Sequence, residues 1–256
     1  MYPNPLKQKL KGGDLVFGTN VPVASARAAA VCCQADIDFL WIDTEHSHFG
    51  IEALETIPAI VRSLGVAPLI RVPWNDPALI KKAYDVGAVA VMIPQVNTAA
   101  EAAKAVEYAF YPPIGQRGVS PSWPALNGEN WTDVIKSAND ETVLIVQIES
   151  VEAYNNIEEI AAVPGVDVLF AGPMDLSASL GVVTDLRNEK VLNILENIPM
   201  RVGPDGPAIA TTLSNIDEIQ EKFRWGYRMM NVGSPLGYGV QVVNDHIATL
   251  KANPNG

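Results

Sequence analysis

His46 and His48 stand two positions apart in IDTEHSHFG, residues 42–50, directly after the apolar run Phe39-Leu40-Trp41-Ile42. A His-x-His pair at a strand end has the shape of half a zinc site. Asp43 and Glu45 are interleaved with it, so the same stretch could hold an acid–base centre instead. A histidine-built zinc site on such a scaffold needs further histidines, and often a lysine, from later strand ends. The chain has three histidines, and the third, His246, lies in VVNDHIATL on an apparent terminal helix. The zinc reading therefore lacks ligands. His46 reads better as a general base, because an unperturbed imidazole titrates near neutrality. His48 then belongs to the loop.

Gln147 and Glu149 are two apart in TVLIVQIES, so strand periodicity sends both side chains to one face. If that face is an interior, an ionised Glu149 needs a cation or a donor. FAGPMD delivers a second carboxylate, Asp175, from the following strand's loop. Two carboxylates from neighbouring strand ends form a minimal cage for Mg²⁺ or Mn²⁺, with water and substrate oxygens completing the shell. The bland alternative pairs Glu149 with Arg71 and makes Asp175 a helix cap. Arg71 puts a guanidinium at the end of the apolar stretch PLIRV, where its fork of donors suits a carboxylate, an oxyanion or a structural salt bridge. None of the ten lysines lies in or at the end of an apolar run, which disfavours imine chemistry.

These residues close a series of eight apolar runs: 15–20, 39–44, 67–72, 88–95, 142–150, 166–173, 207–212 and 228–234. Continuous apolar runs of this length fit parallel strands buried on both faces. Helix-like segments with start signals alternate with them. Asn75-Asp76-Pro77 supplies a cap and a first-position proline, Thr98 with Glu101 reads as a capping box, and Ser150 opens another helix. Eight strands alternating with helices in 256 residues predict one α/β domain, a (β/α)₈ TIM barrel over 1–256, with an open doubly wound sheet as the alternative. No Gly-rich fingerprint follows the first strand, against a dinucleotide fold. Residues 111–131, rich in Pro and Gly, are too long for a connector and point to a functional loop or a subunit contact.

Composition narrows the partners. A net charge of −11 repels phosphate backbones, so nucleic acid and anionic membrane are not expected. No stretch reaches the apolar length of a bilayer span, and the N-terminus shows no signal-peptide pattern. Adjacent Cys32 and Cys33 read as small residues on an Ala-rich helix rather than a disulfide or metal site. A soluble, reduced, cytoplasmic protein is expected.

The stretches WIDTEH, PLIRVPWNDP, KKAYDVGA…VMIPQV, YPPIGQRG, VQIES and FAGPMDLSASLG together resemble the HpcH/HpaI class II pyruvate aldolases, from about residue 15 to 181. The likeness to 4-hydroxy-2-oxoheptanedioate aldolases implies a phosphoenolpyruvate/pyruvate-type (β/α)₈ barrel whose last helix is exchanged between subunits, in a homohexamer built as a trimer of dimers. It implies a metal, Mg²⁺ or Mn²⁺ with Co²⁺ or Zn²⁺ as alternatives, held by Glu149 and Asp175. His46 takes the place of the catalytic histidine and Arg71 that of the Arg beside the pyruvyl oxygens. Gln147 and Met174 fall on substrate contacts, and Asp85 on an Asp that raises the histidine's basicity. Strand-end reasoning does not select Asp85, which looks like an ordinary helix carboxylate.

The implied reaction is reversible cleavage of a 4-hydroxy-2-oxo acid to pyruvate and an aldehyde through a metal-stabilised enolate, in a setting such as aromatic catabolism. The same enolate would serve oxaloacetate decarboxylation or macrophomate synthase-like C–C bond formation. A barrel retired to binding or assembly is the remoter alternative. Thr44 stands where the family commonly has Gly, SHFG replaces a loop often bearing Pro and Asn, and VGSPLGYG (232–239) differs from the usual VGxD. These departures bear on aldehyde specificity and subunit contact more than on reaction class.

Overall fold

The computed structural model describes residues 4–252. The first three residues of the N-terminal stretch, and 253–256 at the far end of the expected domain, lie outside the described residues. All eight apolar runs form strands: β1 (Val16–Val21), β2 (Phe39–Asp43), β3 (Ala67–Arg71), β4 (Ala90–Ile93), β5 (Val143–Ile148), β6 (Val168–Ala171), β7 (Ala208–Thr212) and β8 (Met229–Asn231). They pair in parallel, each with its sequence neighbour, and β1 pairs with β8 to close the barrel. The fold is the (β/α)₈ barrel, not the open sheet.

Strand periodicity divides the core in two. Val16, Phe39, Trp41, Leu69, Met92, Ile145, Phe170 and Met229 point inward and fill the barrel. Leu40, Ile42, Ile70, Val91, Val146 and Leu169 point outward under the helices. Complete burial of each large side chain contributes roughly 1.5–3 kcal/mol, so this two-sided burial dominates the fold's stability. Gly18 is required inside: a Cβ there would lie 2.3 Å from the Phe39 ring. The helix Pro5–Gly12 closes the barrel floor with Leu6, while Lys7 Nζ donates to the Thr142 carbonyl and to Asp167 Oδ1, each at 2.6 Å.

The helix starts are those the sequence marks. Asp76 accepts from the Ala78 and Leu79 amides ahead of the helix Pro77–Asp85. Thr98 and Glu101 complete a capping box, and Ser150 caps Val151–Asn155. Cys32 is buried at the end of the helix Ala26–Cys32, and both cysteines are free. The 111–131 segment folds at the barrel's floor side, between the helix Ala99–Ala109 and β5. There Ser122 donates to the Asp85 carbonyl, and Arg117 is buried between the rings of Tyr84 and Tyr111. Among the described residues, no helix is long and apolar enough to cross a membrane.

Candidate active site

The inward periodicity that fills the barrel continues past the core to its C-terminal rim, the usual place for chemistry in this fold. Phe39 and Trp41 lead to Asp43, Ala67 and Leu69 to Arg71, and Ile145 to Gln147 and Glu149. Opposite positions of β2 and β3 bring Asp43 directly beside Arg71.

Arg71 is the hub. Its Nε donates to Asp43 Oδ1 at 2.9 Å and its Nη2 to Asp43 Oδ2 at 2.5 Å, the two-pronged contact an Arg fork favours. Its Nη1 lies 2.9 Å from Glu45 Oε2 and donates to Gln147 Oε1 at 3.4 Å. Gln147 passes the chain on, its Nε2 donating to Glu149 Oε2 at 2.8 Å. Arg71 therefore reaches Glu149 through Gln147 while its own ion pairs are with Asp43 and Glu45, so the direct Glu149–Arg71 salt bridge is not the arrangement found. Burial opposes the charge on Arg71, but Asp43, Glu45 and Glu149 outweigh it and hold the guanidinium more firmly protonated than usual. Burial likewise opposes ionisation of Asp43. The hydrogen bonds and charge of Arg71, with the Glu45 and His46 amides, prevail and keep it below the ordinary carboxylate range.

Glu149 behaves in the opposite way. It is 6% exposed, and burial, reinforced by the charges of Asp175 and Glu45, pushes its carboxyl up to about 7 despite a 2.7 Å hydrogen bond from the Gln95 amide. Gln95 holds that amide in place with φ of 53°, a left-handed conformation rare for a residue with a side chain. Glu45 is also pushed up, first by burial, and its Oε2 is buried without a hydrogen bond of good geometry. Asp175 lies in the first turn of the helix Pro173–Ser179, whose cap position is Gly172, and its charge is felt by both glutamates. Asp175 is thus not the cap itself. Gly172 keeps space over Glu149, since a Cβ there would sit 2.9 Å from Glu149 Oε2.

This set fits a hard divalent cation. The donors are carboxylate oxygens, and burial together with the neighbouring carboxylates holds Glu149 back from ionising until a cation joins it. Among the described residues, no group of three or more His, Cys, Asp or Glu could hold a metal alone. Two carboxylates with positions left for water and substrate match the Mg²⁺ pattern rather than a closed zinc site.

His46 stands at the rim with 63% of its side chain exposed, its amide near Asp43 Oδ1 at 3.5 Å and its Nε2 3.8 Å from Glu45 Oε2. His48 is exposed and stacks edge-on with Phe49. Thr44 is buried and donates to the Arg71 carbonyl at 2.6 Å, which ties the β2 loop to β3. Met174 is exposed beside Asp175. Asp85 is not brought to this rim. It ends a helix that starts after β3 and runs back to the start of β4, so within one chain it lies at the opposite end of the barrel wall from His46. Burial raises its carboxyl to about 6, against the pull of Arg117 and Lys81.

The profile of the HpcH/HpaI aldolase/citrate lyase family matches residues 17–240. The chain belongs to that family. It is 32% identical over 259 residues to the 2-keto-3-deoxy-L-rhamnonate aldolase of Escherichia coli K12, covering all of this chain and 96% of that one. It is 34% identical over 242 residues to the 2-dehydro-3,6-dideoxy-6-sulfogluconate aldolase of Pseudomonas putida, covering 94% and 95%. An HpcH/HpaI family crystal structure from Burkholderia cenocepacia J2315 superimposes with a TM-score of 0.90 at 30% identity, covering 97% and 99%. Macrophomate synthase superimposes at 0.82 with 25% identity, covering 96% and 89%. The two aldolases are named for sugar acids, not for aromatic catabolism.

Proposed function

We propose that this chain is a metal-dependent aldolase that reversibly cleaves 4-hydroxy-2-oxo acids to pyruvate and an aldehyde. The observation that carries the reading is the Arg71–Gln147–Glu149 chain. It sets a fixed cationic donor beside a buried carboxylate that a cation would bring into its ionised form. Glu149 and Asp175 would hold the ion, with Mg²⁺ or Mn²⁺ matching their oxygen donors best and Co²⁺ or Zn²⁺ as substitutes. When bound, the ion supplies Lewis-acid polarisation of the substrate's keto oxygen.

The remaining steps belong to the chain's own residues. Asp43 and Glu45 fix the guanidinium of Arg71, so its donors face the oxygen on which negative charge develops without reorganising during the reaction. Gln147 fixes the orientation of Glu149 toward the same point, and the backbone around Met174 lies beside Asp175 to contact the carboxylate end. His46 accepts the proton of the C4 hydroxyl. The C3–C4 electron pair then moves to C3, the aldehyde leaves, and the resulting enolate takes up a proton at C3 to give pyruvate. Because His46 is exposed at the rim, it can exchange that proton with solvent between turnovers.

The terminal helix Pro235–Ala252 buries none of its residues, while Leu236, Val240, Val243, Ile247 and Leu250 stay exposed. Such an apolar helix supports exchange between subunits of a homo-oligomer, a hexamer assembled from dimers. Any action of Asp85 on His46 is then one between subunits. Free Cys32 and Cys33 suit a reducing cytoplasm, and a surface of net charge −11 suits a small-molecule enzyme that avoids nucleic acid and membrane.

The test is pyruvate release from a panel of 4-hydroxy-2-oxo acids. The expected result is activity abolished by EDTA, restored by Mg²⁺ or Mn²⁺, and lost in His46→Ala. Turnover that survives complete chelation, or persists in that variant, overturns the reading. The similarity to macrophomate synthase supports a second reading in which decarboxylation of oxaloacetate, or C–C bond formation, is the main task. It requires kcat/KM for oxaloacetate to exceed that for every hydroxy-oxo acid tested.

A further inference from the structure

Each carboxylate oxygen of Glu149 already has one protein donor: Oε2 takes Gln147 Nε2 at 2.8 Å, and Oε1 takes the Gln95 amide at 2.7 Å. A carboxylate held at both oxygens cannot turn without losing a hydrogen bond, so its plane is set before an ion arrives. Each oxygen keeps a further lone pair for a cation. Gln147 stands on the same strand as Glu149, but Gln95 follows β4 and donates from a conformation the chain does not adopt by preference. Its φ is 53° while its side chain is exposed, so its part is played by the main chain. A residue with a Cβ stays in that conformation only where its surroundings over-determine it.

Asn97 supplies that constraint, and each of its polar atoms is engaged. Its Nδ2 donates to the Gln95 carbonyl at 3.3 Å, and its Oδ1 accepts from the Ser150 hydroxyl. Its amide donates to Glu101 Oε2 at 2.7 Å, and its carbonyl accepts from Asn156 Nδ2 at 2.8 Å. The Ser150 hydroxyl also accepts the Ala153 amide at 2.9 Å. Its own hydrogen is thereby left for Asn97, which decides which end of the Asn97 amide faces Gln95. Ser150 is the residue after Glu149, so the contacts close a ring. Glu149 holds the Gln95 amide, the Gln95 carbonyl holds Asn97, Asn97 holds Ser150, and the chain leads back to Glu149. The helix Ala99–Ala109 does not need the Asn97 side chain, because Thr98 and Glu101 form its capping box.

We propose that Asn97 is a positioning residue for the metal site: it holds the Gln95 main chain in the left-handed conformation that aims its N–H at Glu149, and thereby sets the affinity for a divalent cation. This rests on Glu149 being a metal ligand, as in the aldolase reading above, and deepens that reading. Asn97 acts on Glu149 through the Gln95 amide. Removing a group that orients a ligand carboxylate typically costs about 10- to 100-fold in metal affinity. Asn97 stands one contact further out, which places its effect at the lower end of that range.

The experiment measures Mn²⁺ binding to the purified protein, without substrate, by electron paramagnetic resonance of the free ion. Asn97→Ala should raise Kd about tenfold. Two substitutions of Gln95 test the conformation itself. Both keep the amide, but Gly adopts positive φ freely whereas a branched side chain resists it, so Kd for Gln95→Val should exceed that for Gln95→Gly by about fivefold or more. Unfolded protein lowers the number of sites rather than Kd, so a merely structural role for Asn97 leaves Kd at the wild-type value. Wild-type Kd in Asn97→Ala, or equal Kd in the two Gln95 variants, overturns the inference while the aldolase reading stands. Should Asn97→Ala fail to fold, the Gln95 pair decides. No Mn²⁺ binding by the wild type, or undiminished binding by Glu149→Gln, overturns the metal assignment and this inference with it.

Discussion

At the scale of single residues, the site is governed by how two buried charges are treated differently. Arg71 has its charge matched by Asp43 and Glu45, so its guanidinium is fixed before substrate arrives. Arg71→Lys keeps the charge but loses the fork that spans Asp43 and Gln147. We expect kcat/KM for pyruvate release to fall by ~100-fold or more with an unaltered circular dichroism spectrum. Glu149 has no such match, and in the protein without metal its carboxyl is raised from 4.5 to about 7, chiefly by burial. The sign follows from linkage: a raised carboxyl means the native state binds more protons than the unfolded chain between these values. The metal-free protein is most stable below about 4.5 with respect to this group, and loses stability as pH rises toward about 7. Glu149→Gln removes that loss. In EDTA at pH 7.5 or above, it should be about 1–3 kcal/mol more stable than wild type while losing metal-dependent turnover. Urea melts across pH decide the point, and a variant less stable than wild type at high pH would refute it.

At the scale of elements, strand ends and the first residues beyond them position the chemistry, and two glycines separate fold from site. Gly18→Ala would drive a Cβ into the Phe39 ring at 2.3 Å, so its cost is one of core overpacking, about 1–3 kcal/mol in thermal or urea melts. Gly172→Ala places a Cβ 2.9 Å from both Cβ and Oε2 of Glu149. There the expected outcome is a loss of metal affinity and of kcat by about tenfold or more, with the barrel intact, because sub-ångström displacement of a site carboxylate is enough. The eight strands were legible because each is a continuous apolar run ended by a polar or Gly/Pro break, as Pro94 ends β4. That Glu149, Asp175, Arg71 and His46 stand at or just past strand ends could be read for the same reason, as polar residues where apolar runs stop; their roles in the reaction are the proposal above. The fastening of Arg71 to Asp43 was not, since it depends on β2–β3 register rather than on either residue's type. The Gln95 amide leaves no trace in sequence, because its positive φ occurs without glycine.

At the scale of the whole molecule, two features of the chain bear on the proposed assembly. The helix Pro235–Ala252 displays apolar residues along its length and buries none, and Asp85 lies at the far end of the wall from His46. Association through the helix would cover the first, and a neighbouring subunit could bring Asp85 to the rim. Val243→Glu should therefore lower the mass seen by light scattering and reduce turnover together, whereas an unchanged mass would remove the helix from the interface. A complementation experiment separates assembly from catalysis. His46→Ala and Asp85→Asn are each expected to be nearly inactive alone. If Asp85 serves the partner's site, mixed dimers contain one site with both His46 and Asp85 intact. An equal mixture allowed to exchange subunits should then regain roughly a quarter of wild-type activity, since half of random pairs are mixed and each has one working site in two. If Asp85 acts only within its own chain, every subunit in the mixture still carries one lesion. No activity returns, and Asp85 is then a floor-side carboxylate whose raised carboxyl reflects burial beside Arg117 and Lys81.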